Sequence, residues 1–221
     1  MELTDAMSTL RAVRRLRPDP IPDGVLGRLL QAATWAPSGG NAQAWRIIVV
    51  KDPRTKKALA DLYRPAWDDY IAQGRAIRTP GQSEETQDAA KKMIKAGHYL
   101  AAHMHEAPVL LVCCFDPRRM AFTDAGQDRP SVTGGASLYP AVQNLMLACV
   151  EEGIGCTLTT LHCRSEPEVK RLLGIPEEWG TSALIPLGYP VGGGHGPITR
   201  APVAEMACAE RFGEPWAPAQ G

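Results

Sequence analysis

Three arginines near the amino terminus are the first residues whose types and spacing could do chemistry. Arg11, Arg14 and Arg15 lie three and four positions apart in R-A-V-R-R. On a helix, residues at this spacing share a face, so the pattern predicts a compact positive patch. Guanidinium groups bind phosphate through paired hydrogen bonds, which makes a phosphate site one interpretation of the patch. A solvated helix face is the other interpretation.

Two further segments could hold a ligand. The first is the small, polar loop P-S-G-G-N-A-Q, whose glycines allow close backbone approach and whose Ser38, Asn41 and Gln43 offer hydrogen bonds. The second is G-P-I-T-R-A-P, which places Arg200 in an extended, proline-flanked tail. Taken singly, the loop also fits a plain turn, and Arg200 also fits an ordinary surface arginine.

Hydrophobic periodicity predicts the elements that must position these residues. The predicted helices cover residues 5–17, about 22–36, a short stretch from Asp52 to Tyr63, 136–152 and a segment that reaches Leu173. The predicted strands cover 45–50, 109–115, 156–161 and 181–187. Strands alternate with helices, so the sequence predicts an α+β fold in which a mixed central sheet is flanked by helices. We expect one domain over residues 1–221.

Two regions stand apart from this core pattern. Residues 64–106 are polar and helical, which predicts an insertion or lid, with 79–83 as an exposed loop. Its large apolar side chains, Trp67 and Tyr70, could bind a substrate or could pack the insertion onto the body. The tail from about residue 192 is rich in glycine and proline, so we expect an extended arm that lies on something else.

Composition excludes several classes of function. Lys plus Arg is 24 and Asp plus Glu is 24, so a net charge of zero argues against nucleic acid or an anionic membrane as the main partner. The longest apolar run, 109–115, is too short to span a bilayer, and the acidic amino terminus does not resemble a signal peptide. No C-x-x-C occurs among the six cysteines, and neither His103-x-His105 nor His162-Cys163 has a partner pair at metal-ligand spacing. These features predict a cytoplasmic protein without a metal site.

Taken together, the segments resemble the FMN-dependent nitroreductase family. The resemblance rests on R-A-V-R-R-L-R-P-D-P-I-P, then L-L-Q-A-A-T-W-A-P-S-G-G-N-A-Q-A-W-R-I-I-V-V, Gln143-Asn144-Leu145, Gly153-Ile154-Gly155 and the tail G-P-I-T-R-A-P-V. It covers nearly the whole chain and is weakest over 64–106. It implies an FMN cofactor, NADH or NADPH as electron donor, and a nitroaromatic or quinone as acceptor. It also implies a domain-swapped homodimer with the flavin sites at the interface.

The resemblance implies a role for each candidate residue. The implied cofactor-binding residues are Arg11, Ala12, Val13, Arg14, Arg15, Pro37, Ser38, Gly39, Asn41, Gln43, Leu158, Thr159, Thr160, Leu161 and Arg200. Among them, Arg11, Arg14 and Arg200 match positions near the FMN phosphate or the flavin pyrimidine. The loop 37–43 matches one that reaches the partner subunit's flavin, and 158–161 matches backbone near flavin N5. Ala12 stands where the family often has serine, which removes one hydroxyl contact to the phosphate.

Other reactions and other classes of protein stay open. Hydride transfer through a flavin requires no protein acid or base, so no catalytic side chain is predicted. The same fold supports reductive dehalogenation and oxygen-dependent flavin breakdown. One alternative from another class is a non-catalytic flavin-binding or sensing module, and a third is a helical interaction protein whose arginine patch docks an acidic partner.

Overall fold

The structure is a computed structural model that describes residues 1–74 and 84–216, and for 84–86 it describes the backbone alone. Its helices and strands are α1 Leu3–Thr9, α2 Asp23–Thr34, β1 Trp45–Val50, α3 Pro53–Ala72, α4 Glu84–His103, β2 Val109–Phe115, α5 Tyr139–Glu151, β3 Gly155–Cys156, α6 Glu166–Leu173, β4 Gly180–Gly188 and α7 Val203–Met206. The loop predicted over 79–83 lies outside the described residues.

A four-stranded sheet in the order β1-β2-β4-β3 forms the centre of the molecule. The predicted α+β fold is confirmed. The expected mixture of strand directions is not found in the described strands, because every pairing among them is antiparallel. The two central strands are almost wholly buried, which explains why 109–115 is apolar without alternation.

Helices cover both faces of the sheet. On one face, α2 and α5 pack against strand residues that include Leu111 and Ile185. On the other face, α3 and α4 pack against Leu110, Val112 and Leu184. Strand side chains alternate between the two faces, so one run of apolar residues supplies both core layers. Among the helices of residues 1–74 and 84–216, none combines the length and apolarity that a bilayer crossing requires.

The predicted helix over 5–17 is wrong beyond its first two turns. Helix α1 ends at Thr9, and the chain then runs extended along the edge of the sheet. Here the amide of Val13 donates to the carbonyl of Cys156 at 2.8 Å, and the amide of Arg17 donates to that of Tyr189 at 2.7 Å. A Cβ on Gly155 would lie 2.8 Å from side-chain atoms of Val13, so glycine is what allows this close approach. Pairing with distant backbone therefore overrides the local helical pattern.

The tail lies along the same extended segment. The amide of Val191 donates to the carbonyl of Arg15 at 3.0 Å, and the amide of Gly196 donates to that of Thr9 at 2.9 Å. Further along the arm, Met206 and Phe212 are exposed. The first part of the arm thus rests on the amino-terminal segment of its own chain.

Two other predicted boundaries are wrong. Helix α3 does not end near Tyr63 but continues to Ala72, with Pro65 inside it on the exposed side. The strand predicted over 156–161 shrinks to β3 and one further bridge at Thr159. From Leu161 the backbone coils into a short 3-10 helix, and this change of conformation ends the pairing.

Candidate functional site

A groove opens where the extended amino-terminal segment, the tail and the residues after β3 meet. Its outer cavity has a volume of about 630 Å³ and is lined by Met7, Leu10, Arg11, Ala12, Arg14, Gln143, Met146, Thr157, Leu158, Ile198 and Arg200. Its inner cavity of about 220 Å³ is lined by Arg14, Tyr63, Trp67, Tyr70, Met93, Leu100 and residues 157–161. The two cavities share Arg14, Thr157 and Leu158, and we call them together the arginine groove.

Backbone pairing brings Arg11 and Arg200 to one end of the groove although they are far apart in sequence. The amide of Ile198 donates to the carbonyl of Ser8 at 3.3 Å, which aligns the tail with the amino-terminal segment. The side chain of Arg11 extends this contact, because its Nε donates to the carbonyl of Gly194 at 2.8 Å. Both guanidinium groups therefore reach the outer cavity from a single chain.

The charges of the groove are unbalanced. Some described arginines outside the groove are paired with a carboxylate, such as Arg28 with Glu152 at 2.6 Å. No carboxylate within residues 1–74 and 84–216 forms an ion pair with Arg11, Arg14 or Arg200. Burial lowers the pKa of the Arg14 guanidinium, which is a sign that its charge is poorly solvated. An anion placed in the groove would relieve that cost.

The predicted three-arginine face is wrong, because the segment that carries it is extended rather than helical. Arg14 faces the groove, whereas Arg15 faces away and lies over the ring of Tyr99, 4.6 Å from its centroid. Ala12 lines the outer cavity, and Val13 is buried against the sheet. The structure thus joins Arg11 and Arg14 to Arg200 and leaves Arg15 outside.

Residues 158–161 form one wall of the inner cavity. Two backbone bonds to Leu184 fix Thr159, whose amide donates at 3.0 Å and whose carbonyl accepts at 2.8 Å. That amide is consequently not available to a ligand. The next amide, of Thr160, has no acceptor among the described residues, so it is the donor that a ligand could use. Thr159 also donates through Oγ1 to the hydroxyl of Tyr63 at 3.3 Å, and burial raises the pKa of that phenol.

The loop 37–43 is held in an unusual conformation. Gly40, Asn41 and Gln43 have φ of 57°, 52° and 47°, a left-handed region that costs a non-glycine residue about 1 kcal/mol or more. Ser38 Oγ accepts from the amide of Gln43 at 2.9 Å, and the amide of Gly39 donates to Ser137 Oγ at 2.9 Å.

No described residue of the loop 37–43 lines the arginine groove of its own chain, Pro37 included. The conformation of the loop is therefore fixed by contacts within its own chain, but the loop does not contribute to the groove of that chain.

Trp67 and Tyr70, for which the sequence left both ligand binding and packing open, line the inner cavity. Their ring centroids are 5.9 Å apart. Trp67 is also part of the core beneath α3 and α4, with 6% of its surface exposed. Trp67 therefore packs the insertion onto the body and also borders the cavity.

Sequence reasoning missed a second cavity next to the groove. This aromatic cavity, of about 650 Å³, is lined by Phe115, Met120, Phe122, Ser131, Val132, Gly134, Gly135, Leu138, Tyr139, Thr160, Cys163, Thr181 and Ser182. Thr160 borders both the aromatic cavity and the inner cavity. One wall is the segment 122–135, which we call the Asp124 loop. A non-periodic loop carries no sequence pattern that could have revealed it.

Asp124 organises this loop. It is 5% exposed and accepts hydrogen bonds from Ser131 Oγ at 2.6 Å and the amide of Val132 at 2.9 Å, from both the amide and the hydroxyl of Thr133, and from Arg129 at 2.7 Å. These bonds hold the pKa of the Asp124 carboxyl well below its usual range, and the bond from Ser131 contributes most to this lowering. All of its charge is therefore satisfied by its own loop.

Gln143 and Met146 of α5 and Ile198 of the tail were also missed as lining residues. The polar pair Gln143-Asn144 within the apolar middle of α5 was the signal that could have pointed to the first of them. The other two are ordinary apolar residues by pattern. Their position depends on how the tail packs, which no local pattern encodes.

Comparisons with known proteins show the family of the chain. The chain matches the Nitroreductase family over residues 9–189. It is 30% identical over 213 residues to an NADH dehydrogenase of Thermus thermophilus, covering 89% of this chain and 90% of the relative. It is 31% identical over 181 residues to 5,6-dimethylbenzimidazole synthase of Rhodospirillum rubrum, covering 81% of this chain and 78% of the relative.

A solved structure extends the agreement to the fold. Oxidised iodotyrosine deiodinase bound to FMN and 3-iodo-L-tyrosine superposes with a TM-score of 0.68 at 25% identity, covering 96% of this chain and 100% of the other. The match to the family extends over most of the chain and includes β1, β2 and β4. This chain therefore belongs to the nitroreductase family of oxidoreductases, as its sequence predicts.

Proposed function

We propose that the chain is an FMN-dependent oxidoreductase that passes a hydride from NADH or NADPH to an electron-poor acceptor such as a nitroarene or a quinone. The observation that carries the proposal is the convergence of Arg11, Arg14 and Arg200, unpaired with any described carboxylate, in one groove. The inner end of that groove offers an open amide on Thr160 and the aromatic wall of Trp67.

The residues present fit FMN. Arg11 and Arg200 would hold the phosphate by charge-assisted hydrogen bonds at the outer cavity. Arg14 lies between the two cavities, where its half-buried charge stabilises negative charge beside it. Thr160 would donate its amide to a ring acceptor. When bound, FMN supplies the hydride chemistry, while the chain supplies position and electrostatics.

The loop 37–43 supports a shared site. It is strained, held by Ser38 and Ser137, and outside the groove of its own chain. We infer that it completes the groove of a second copy, in a homodimer whose arms exchange beyond Arg200. We also take the cytosol as the compartment, because all six cysteines are free thiols.

A second reaction class is favoured by the relatives themselves, two of which are a 5,6-dimethylbenzimidazole synthase and an iodotyrosine deiodinase. The ammonium of an amino-acid substrate is bound most strongly by a carboxylate. Within the described residues no carboxylate lines the inner cavity, whereas Trp67 and Tyr70 do. The lining therefore fits a neutral aromatic acceptor better than it fits a zwitterion.

Anaerobic half-reactions test the proposal. The purified protein is loaded with FMN, and its flavin absorbance is followed after NADH or NADPH is added. We expect bleaching with at least one nucleotide, and recovery on addition of nitrobenzene or benzoquinone. A protein that takes up no FMN would contradict the site. Bleaching followed by recovery with 3-iodo-L-tyrosine alone would favour dehalogenation.

A further inference from the structure

Trp67 forms one wall of the inner cavity, and helix α4 holds its side chain in place. Its ring lies between α3, which carries it, and α4, and it borders the same cavity as Arg14 and Leu161. Large aromatic surfaces stack well on flat, electron-poor rings. The orientation of this indole therefore decides what shape of ligand the inner cavity accepts.

Gly97 of α4 makes room for the indole. A Cβ at this position would lie 2.0 Å from Cη2 and 2.4 Å from Cζ2 of Trp67. Such distances are far below van der Waals contact, so the indole rests directly on the helix backbone. Any larger residue at position 97 would displace the ring from its present position.

His98, the next residue of α4, holds the orientation of the Trp67 indole through a hydrogen bond. Trp67 Nε1 donates to His98 Nδ1 at 3.0 Å, and the two rings meet edge to face at 86° with centroids 5.6 Å apart. The indole N–H can only donate, so Nδ1 must present a lone pair and the imidazole proton must lie on Nε2. His98 itself is exposed, so little of the core depends on it.

We propose that His98 is a positioning residue for the acceptor, acting through its hydrogen bond to Trp67. The bond holds the indole at one angle, so that Trp67 and Tyr70 present a fixed aromatic surface to a flat, neutral acceptor such as a nitroarene. The inference rests on the proposed function. Loss of the bond removes the polar contact that sets the angle of the indole, so the ring varies more in angle within its packed site and a ligand must order it again.

Two variants distinguish the effect of losing the hydrogen bond from the effect of replacing the histidine side chain. His98→Ala removes the acceptor atom, whereas His98→Asn replaces Nδ1 by an amide oxygen. For His98→Ala we expect the KM for nitrobenzene to rise about fivefold, the size of one net hydrogen bond, with kcat and FMN affinity changed less than about twofold. His98→Asn should restore the KM. The tryptophan band in near-ultraviolet circular dichroism should weaken in His98→Ala and recover in His98→Asn.

His103→Ala is the matched control. His103 lies in the same helix, stacks on Tyr99 at 4.3 Å between centroids and pairs with Glu106, away from the inner cavity. Its loss should leave the KM unchanged.

An unchanged KM in His98→Ala, or a His98→Asn that behaves like His98→Ala, overturns the inference while the proposed function stands. Absence of FMN binding or turnover by the unmutated protein overturns the proposed function instead. In that case the circular dichroism of the same variants still shows whether the bond orders Trp67.

Discussion

The arginine groove and the Asp124 loop lie on either side of Thr160. The buried charge of the loop has hydrogen-bond partners within the loop, whereas the arginines of the groove have no described carboxylate partner. In the loop, one buried carboxylate receives hydrogen bonds from five groups, including the guanidinium of Arg129. In the groove, Arg14 is half-buried, and no described carboxylate pairs with it. A charge that its own chain satisfies contributes to stability, whereas a charge left unsatisfied is ready for a ligand and costs stability until it binds.

The largest expected effect is on FMN affinity. In the double variant Arg11→Ala with Arg200→Ala, two charge-assisted contacts to the phosphate are lost, so the Kd for FMN should rise about 100-fold or more. Quenching of flavin fluorescence measures it. Arg15→Ala is the matched control, because Arg15 lies on Tyr99 outside the groove, and its Kd should stay within about twofold. Equal Kd values for the double variant and the unmutated protein would refute the phosphate assignment.

Replacing Asp124 should show the opposite pattern. In Asp124→Asn the new amide group faces the donors of Ser131, Val132 and Thr133, so we expect the Tm to fall by several degrees while the Kd for FMN stays within about twofold. Thermal unfolding with and without FMN measures both. Asp128→Asn, on an exposed position of the same loop, is the control. A loss of FMN affinity without a loss of Tm would make Asp124 part of the site.

Arg14→Met should raise stability while it weakens binding. Burial of the guanidinium without a carboxylate partner is costly, so an apolar side chain of similar length should raise the Tm of the flavin-free protein by about 1–2 °C. The Kd for FMN should rise about tenfold. Differential scanning calorimetry of the flavin-free forms decides the sign, and a lower Tm for Arg14→Met would show that the charge is already satisfied.

The smallest effect is the acid response of the Asp124 loop. The pKa of its carboxyl is held below the ordinary value, so the ionised form stabilises the folded state at neutral pH. This contribution is complete above the unfolded pKa of about 4 and is lost as the pH falls toward the folded value. The difference in Tm between the unmutated protein and Asp124→Asn should therefore be constant from pH 7 to about pH 5 and shrink below about pH 4. A difference that does not change with pH would exclude this role.

Much of the fold could be predicted from local patterns. Helix α2 and strands β1, β2 and β4 lie where the periodicity predicts them, because burial of an apolar face dominates their energetics. The segment after Thr9 was mispredicted for a related reason. Met7, Leu10 and Val13 have helical spacing, but the backbone of Val13 pairs with Cys156, a partner that no local pattern reveals.

The residues of the candidate site, like the elements of the fold, were predicted only in part. Arg11, Arg14 and Arg200 were found through a resemblance of ordered motifs, and the structure brings them into one groove. Arg15 was assigned with them from the same resemblance and from the expected helical face, and the extended backbone instead turns its side chain toward Tyr99. Asp124, Gly97 and His98 were missed, since their roles depend on contacts between elements that are remote in sequence or on a loop without periodicity.

The central claim is that the arginine groove binds FMN by its phosphate. Equilibrium titration of the flavin-free protein with FMN and, separately, with riboflavin tests it most directly, because riboflavin lacks only the phosphate. We predict saturation at one FMN per chain and binding of riboflavin that is weaker by about 100-fold or more. Equal affinity for the two flavins, or no binding of FMN, would contradict the claim.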